Sequence, residues 1–95
     1  MQRYKILWVD DEIDLLKPHI LFLEQKNYKI EIFSDPFSLI EYINTNNDFD
    51  LILVDENMPG KTGLSLISDI KKKYNSIPII MITKNEEENI MEEAI

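Results

Sequence analysis

The 95 residues contain no cysteine, so disulfides and thiolate metal sites are excluded and a reducing, cytoplasmic setting is the simpler expectation. No apolar run approaches the roughly 18 residues of a membrane span. The N-terminus, MQRYKILWVDDE, joins a short apolar run to acidic flanks, which does not fit a signal peptide. Positive charge is scarce: 10 Lys and Arg stand against 18 Asp and Glu, a net charge of −8. Binding to nucleic acid needs a basic face, so none is expected from this chain alone. The one basic run, Lys71-Lys72-Lys73, falls late in a helical segment, where cations suit the helix dipole; a partner site is the alternative. The single histidine, His19, lies in the first long helical segment, away from the acids described below.

What is present suits one domain. The chain is 44% hydrophobic and 29% charged, so it can build a core and is not a disordered tail. Tyr4–Val9 (YKILWV) reads as a strand ended by Asp10-Asp11-Glu12. From Ile13 to about Lys26, Ile13, Leu16, Ile20 and Leu23 recur at helical spacing. With Asp14 as its cap, Pro18 falls near the end of the first turn. Tyr28–Phe33 alternates and reads as a second strand. Asp35 and Pro36 then start a helix as cap and first residue, with Phe37, Ile40 and Ile43 as its apolar set.

Asp50–Val54 is apolar on both faces, as a central parallel strand should be. After the Pro59-Gly60 turn, Thr62 or Gly63 opens a helix carrying Leu66, Ile67, Ile70 and Tyr74. Pro78–Ile82 reads as a fourth strand, and Asn85–Ile95 as a helix in which Asn85 and Glu88 form a capping box. The order β-α-β-α-β-α-β-α predicts a doubly wound α/β fold, a parallel sheet with helices on both faces.

In such a sheet, ligands bind beyond the carboxyl ends of the strands. Three strands end in polar groups: the first at Asp10 and Asp11, the third at Asp55, the fourth at Thr83. Each has a simpler use. Asp11 could cap a helix, and Asp55 could serve the turn before Pro59-Gly60. Together they predict a site. Three carboxylates repel one another unless some are protonated or a cation binds. Oxygen donors without His or Cys suit a hard ion, Mg²⁺ or Mn²⁺, which commonly also takes phosphate oxygens.

These residues resemble the receiver domain of two-component response regulators, the flavodoxin-like (CheY-like) fold. Asp10-Asp11 matches its acidic pair, Asp55 its phospho-acceptor, Met58-Pro59-Gly60 its turn, and Thr83 its switch hydroxyl. The resemblance implies that Asp55 takes a phosphoryl group from a sensor histidine kinase, a phosphotransfer protein or a small donor such as acetyl phosphate. It implies Mg²⁺ held by Asp11, Asp55 and the carbonyl of Asn57, with Asp10 acting mostly through water. It also implies that Asn57 and Asn85 tune the lifetime of the phosphate. The runs ILWVDDEIDLLKPHILFLEQKNY, VDENMPG and MITKNEEENIMEEAI are further similar to the receiver of PorX-type regulators.

The family pattern continues into a fifth strand bearing a lysine, and a fifth helix, for which these residues offer no counterpart. The expectation is a receiver over residues 1–95 cut within its fourth helix, with its output domain elsewhere. The edge of Ile79–Ile82 would then favour pairing with a second copy. Lys84 is a candidate stand-in for the missing ammonium, or a solvated residue before a helix.

Other function classes make distinct demands. A haloacid-dehalogenase-type phosphatase needs a second acid two residues after Asp55, where Asn57 stands. A flavin-phosphate binder needs a hydroxyl- and glycine-rich loop where Asp10-Asp11-Glu12 stands. A degenerate receiver acting as a scaffold would not need Asp10, Asp11, Asp55 and Thr83 intact. The receiver reading implies self-catalysed phosphorylation and hydrolysis and no separate substrate.

Overall fold

The computed structural model describes residues 4–56 and 58–83. Among them the order is β1 (Lys5–Val9), a 3-10 turn (Ile13–Leu16), α1 (Lys17–Gln25), β2 (Lys29–Phe33), α2 (Pro36–Thr45), β3 (Leu51–Asp55), α3 (Gly63–Lys73) and β4 (Ile79–Ile82). All strand pairs are parallel, in the order β2-β1-β3-β4. This is the flavodoxin-like, CheY-like order, and its switch point lies between β1 and β3. The helix expected over Asn85–Ile95 lies outside the described residues.

Alternation along β1 and β3 builds two apolar layers. Leu7, Val9, Ile52 and Val54 face α2 and α3, and pack with Leu39, Ile43, Leu66 and Ile70. Ile6, Trp8 and Leu53 face the other way, toward Leu16 and Ile20. Burying each such side chain is worth about 1.5–3 kcal/mol, so the central strands anchor the sheet.

The segment Ile13–Lys26 is not one helix. Pro18 lacks an N–H and its ring clashes with the carbonyl four residues back, so an α-turn cannot run through it. The chain tightens into the 3-10 turn instead, and α1 begins at Lys17 with Pro18 in its first turn. Asp14 therefore caps nothing; its carboxylate lies 3.3 Å from Lys17 Nζ. The other end of α1 closes cleanly. Asn27 takes φ 73, its N–H donates to the Glu24 carbonyl at 3.0 Å, and the Tyr28 N–H donates to the Leu23 carbonyl at 3.1 Å. That pair of bonds is a Schellman motif, with Asn at its left-handed position.

Helix α2 starts as expected: the Asp35 carboxylate accepts from the Ser38 N–H at 2.8 Å, with Pro36 first in the helix. Its buried side is different. Leu39 is fully buried, whereas Phe37 is 59% exposed and lies over Gly60. In α3 the Thr62 hydroxyl accepts from the Ser65 N–H at 3.2 Å, making Thr62 the cap and Gly63 the first helical residue. Lys71, Lys72 and Lys73 close that helix, and the Lys73 ammonium donates to the Asn44 carbonyl at 3.2 Å.

The sheet's amino-terminal end is tied by Lys5. Its main chain exchanges bonds with Asp50, N–H to carboxylate and carbonyl to N–H, each 2.8 Å. Its buried ammonium donates to the Tyr42 hydroxyl and to Asp48 at 3.2 Å. The Tyr42 hydroxyl raises the Lys5 pKa above the ordinary 10.5, against the opposing effect of burial.

Candidate functional site

Register explains why residues distant in sequence meet. Ile6 pairs with Leu51 and Trp8 with Leu53, so one pleat further Asp10 stands level with Asp55. Asp55 in turn pairs with Ile82, which places Thr83 at the strand end directly beyond that row. Asp10 follows Ile6 and Trp8 on their face, and Asp55 follows Leu51 and Leu53 on the same face. Neighbouring strands lie about 4.8 Å apart, so the two carboxylates are held side by side by the sheet itself.

Asp11 completes the group. One carboxylate oxygen from each of Asp10, Asp11 and Asp55 lies within 4.8 Å of the others; Asp10 and Asp55 are buried and Asp11 is exposed. Two ionised carboxylates at that separation repel by about 3 kcal/mol at an effective dielectric of 20. The donor set is all oxygen, and the exposed Asp11 leaves one side of the cluster open. That chemistry fits a hard divalent cation which keeps some of its waters. The Asp10 carboxylate also accepts the Glu12 N–H at 2.7 Å, and the Asp10 N–H donates to the Phe33 carbonyl at 3.0 Å. These bonds hold the turn that presents Asp11.

Beside the acids is an open cleft of about 390 Å³ lined by Asp11, Glu12, Ile13, Asp14, Leu15 and Ser34. The 3-10 turn forced by Pro18 supplies one of its walls. Of the residues expected at the site, Asp10, Asp11 and Asp55 come together, and Thr83 ends the adjacent strand, exposed. Asn57, Lys84 and Asn85 lie outside the described residues. His19 is exposed on α1.

The segment after Asp55 is built more tightly than its residue types announce. The Glu56 N–H donates to the Ile82 carbonyl at 3.0 Å, and the Glu56 carbonyl accepts from the Gly63 N–H at 2.9 Å. Pro59 and Gly60 form the turn, with Gly60 at φ 86 and the Lys61 N–H reaching the Met58 carbonyl at 3.4 Å. A Cβ on Gly63 would lie 2.6 Å from the Asp55 carbonyl oxygen and 3.1 Å from Glu56 Cα. The only hint in the sequence was a glycine at the first position of a helix. Lys61 Nζ lies 2.6 Å from the Asp69 carboxylate, and this ammonium holds the Asp69 pKa below the ordinary 3.8.

Comparison with known proteins bears on this geometry. The family model described as "Response regulator receiver domain" matches residues 6–95. The transcriptional regulatory protein ResD of Bacillus subtilis is 39% identical over 87 residues, 90% of this chain and 35% of that protein. The regulatory protein VanR of Enterococcus faecium is 33% identical over 84 residues, 88% of this chain and 36% of its own length. The chain thus spans little more than a third of these relatives.

Among solved structures, the chemotaxis response regulator CheY4 of Vibrio cholerae superposes with a TM-score of 0.81 at 26% identity, covering 97% of this chain and 78% of that one. The response regulator TrrA of Thermotoga maritima, solved in complex with Mg²⁺ and BeF, gives 0.79 at 28% identity, covering 92% and 75%. It gives the same score in its complex with the histidine kinase ThkA, covering 88% and 72%. With its 2-1-3-4 parallel sheet and its three acids at the switch point, this chain belongs to the receiver domains of two-component response regulators.

Proposed function

We propose that Asp55 is the phospho-acceptor of this receiver and that its charge is balanced by a divalent cation, Mg²⁺ or Mn²⁺, held with Asp10, Asp11 and the Asn57 carbonyl. The observation that carries this is the meeting of two buried carboxylates and one exposed carboxylate at the strand ends. When bound, the ion neutralises charge on the acids and on the phosphoryl oxygens.

An Asp55 carboxylate oxygen attacks phosphorus, and the bond from phosphorus to the donor breaks. The donor leaves as free imidazole or acetate, and Asp55 becomes an acyl phosphate. The cleft at Asp11–Leu15 and Ser34 gives the donor room beside Asp11, whose carboxylate lies with that of Asp55. The Thr83 hydroxyl, ending the strand in register with Asp55, donates to a phosphoryl oxygen and couples the site to the segment that follows. Asn57 and Asn85 tune how fast water hydrolyses the acyl phosphate, releasing inorganic phosphate and restoring the Asp55 carboxylate. Lys84 is given no part in the reaction.

The donor is a sensor histidine kinase or phosphotransfer protein, by analogy with the kinase complex of TrrA. The output is supplied outside these residues, and the free edge of β4, outermost in the described sheet, is where a second copy would add a strand. The runs quoted above support a PorX-type receiver within the family. No described helix is long and apolar enough to cross a membrane.

The test is intact mass after incubation with Mg²⁺ and acetyl phosphate. The expected result is a gain of one phosphoryl group that Asp55→Asn abolishes. Sustained turnover of phosphate esters instead would favour the phosphatase reading, and no gain at all would favour the scaffold.

A further inference from the structure

We propose that the Lys61–Asp69 ion pair is a clamp that positions Asp55 for metal binding, by fastening the loop after Asp55 to α3. The proposal rests on the phospho-acceptor reading of the site.

The segment Glu56–Thr62 is the covalent link between Asp55 and α3. Its first residue is gripped from both sides, through the Glu56 N–H to β4 and the Glu56 carbonyl to the Gly63 N–H. Gly63 abuts the Asp55 carbonyl so closely that no Cβ fits between them. The amino end of α3 is therefore a wall on which the Asp55 peptide rests, and a slide of α3 along the sheet displaces Asp55. The middle of the loop turns at Pro59-Gly60, with the Met58 side chain buried in the core beneath it.

The ion pair joins the far arm of this turn to the body of α3. Lys61 Nζ and Asp69 Oδ2 are 2.6 Å apart, with side chains 20% and 35% exposed. Seven residues lie between the partners in sequence, too many for a contact within one helix. The pair therefore spans loop and helix. Lys72, one turn further along α3, approaches the other Asp69 oxygen only to 3.9 Å and is well exposed. A shielded pair is screened less than an exposed one, so Lys61 is the partner that counts.

A clamp of this kind keeps the site in its competent arrangement. Apparent metal affinity falls in proportion to the fraction of molecules that hold that arrangement. Freeing the loop should therefore weaken Mg²⁺ binding and leave the chemistry at saturating Mg²⁺ nearly intact. Simple electrostatics gives the opposite sign: removing a cation near an acidic cluster strengthens binding of another cation. The two accounts of Lys61 can thus be told apart by the direction of the change.

The experiment is Mg²⁺ titration of the 95-residue chain by calorimetry, with labelling by acetyl phosphate measured across the same Mg²⁺ range. Lys61→Met and Asp69→Asn should each weaken Mg²⁺ binding roughly three- to tenfold, the range open to a partly buried ion pair. Labelling at saturating Mg²⁺ should stay within about twofold of wild type. Lys61→Arg, and the exchange of Lys61→Asp with Asp69→Lys, should recover most of the loss, whereas Lys72→Met should change little. If the wild type binds Mg²⁺ and Lys61→Met binds it as tightly or more tightly, the clamp is wrong and the site reading stands. An exchange variant that recovers nothing also overturns the clamp. A wild type that binds no Mg²⁺ overturns the site reading and the clamp together.

Discussion

Gly63→Ala puts the account of the site under direct strain. The added methyl group would sit 2.6 Å from the Asp55 carbonyl oxygen, 3.1 Å from Glu56 Cα and 3.2 Å from Met81 Sδ. The methionine tip can swing away; the two backbone atoms cannot. Ordinary contact begins near 3.4 Å, so the end of β3 and the start of α3 must part by about 0.8 Å. Overpacking against backbone costs about 1–3 kcal/mol. Alanine is the better helix former by up to about 1 kcal/mol, which leaves a net loss of about 1–2 kcal/mol.

For a chain of this length that lowers the melting midpoint by about 5–15 °C. The same displacement moves Asp55, and misplacement on the scale of 1 Å can cost about a hundredfold in rate. Circular dichroism melts and timed acetyl-phosphate labelling read the two effects. Leu64→Ala, one residue along and 68% exposed, is the matched control and should stay within about 0.5 kcal/mol of wild type. A Gly63→Ala chain that melts and labels like wild type would refute the claimed contact between α3 and Asp55.

Further outcomes follow from the same structure. Mg²⁺ at a hundred times its dissociation constant should stabilise the fold by about 2.7 kcal/mol. Asp10→Asn should remove most of that response and raise the metal-free midpoint, because it deletes one of two buried like charges; paired melts with EDTA and Mg²⁺ check both signs. Asp35→Ala should lower stability measurably through loss of the α2 cap. The Ser38 N–H holds the Asp35 pKa below its ordinary 3.8. The cap's contribution is therefore present above that value and is lost as pH falls through the lower folded one, so acid urea titrations should show wild type and Asp35→Ala converging.

Lys5→Met should cost about 1–2 kcal/mol at neutral pH. The Lys5 pKa is raised, so its contribution is full below 10.5 and is lost as pH climbs through the higher folded value. Asp48 is lowered, chiefly by Lys5, so its part is lost only below 3.8. The urea midpoint of Lys5→Met should thus vary less with pH at both extremes, followed by fluorescence of the single, buried Trp8.

Much of this architecture was legible because it depends on period and punctuation. LILVD is apolar on both faces and became a central strand, and Asp35-Pro36 began α2 as its residue types dictate. The meeting of Asp10 with Asp55 was legible as soon as both were strand ends, because a parallel register does the rest. What escaped depends on contacts between segments. Pro18 was placed within a helix, but its effect reached back four residues and made Ile13–Leu16 a 3-10 turn. Phe37 looked like a core residue by type, yet a shift of two positions around α2 gave the core to Leu39. Nothing in the sequence around Lys5 announces its burial, which only the approach of Tyr42 and Asp48 makes tolerable. The Lys61–Asp69 pair carries no local signature, and the glycine that opens α3 is only a hint of the close contact at Gly63, because each depends on where α3 docks.

The central claim is that Asp55, among the acids gathered at these strand ends, receives the phosphoryl group. The most direct measurement is to label the chain with acetyl phosphate and Mg²⁺, reduce the acyl phosphate with borohydride, and map the modified residue by peptide mass spectrometry. The account predicts modification at Asp55 alone, and none when Mg²⁺ is chelated. Modification at Asp10, Asp11 or Glu56, or labelling that persists without a divalent ion, would contradict it.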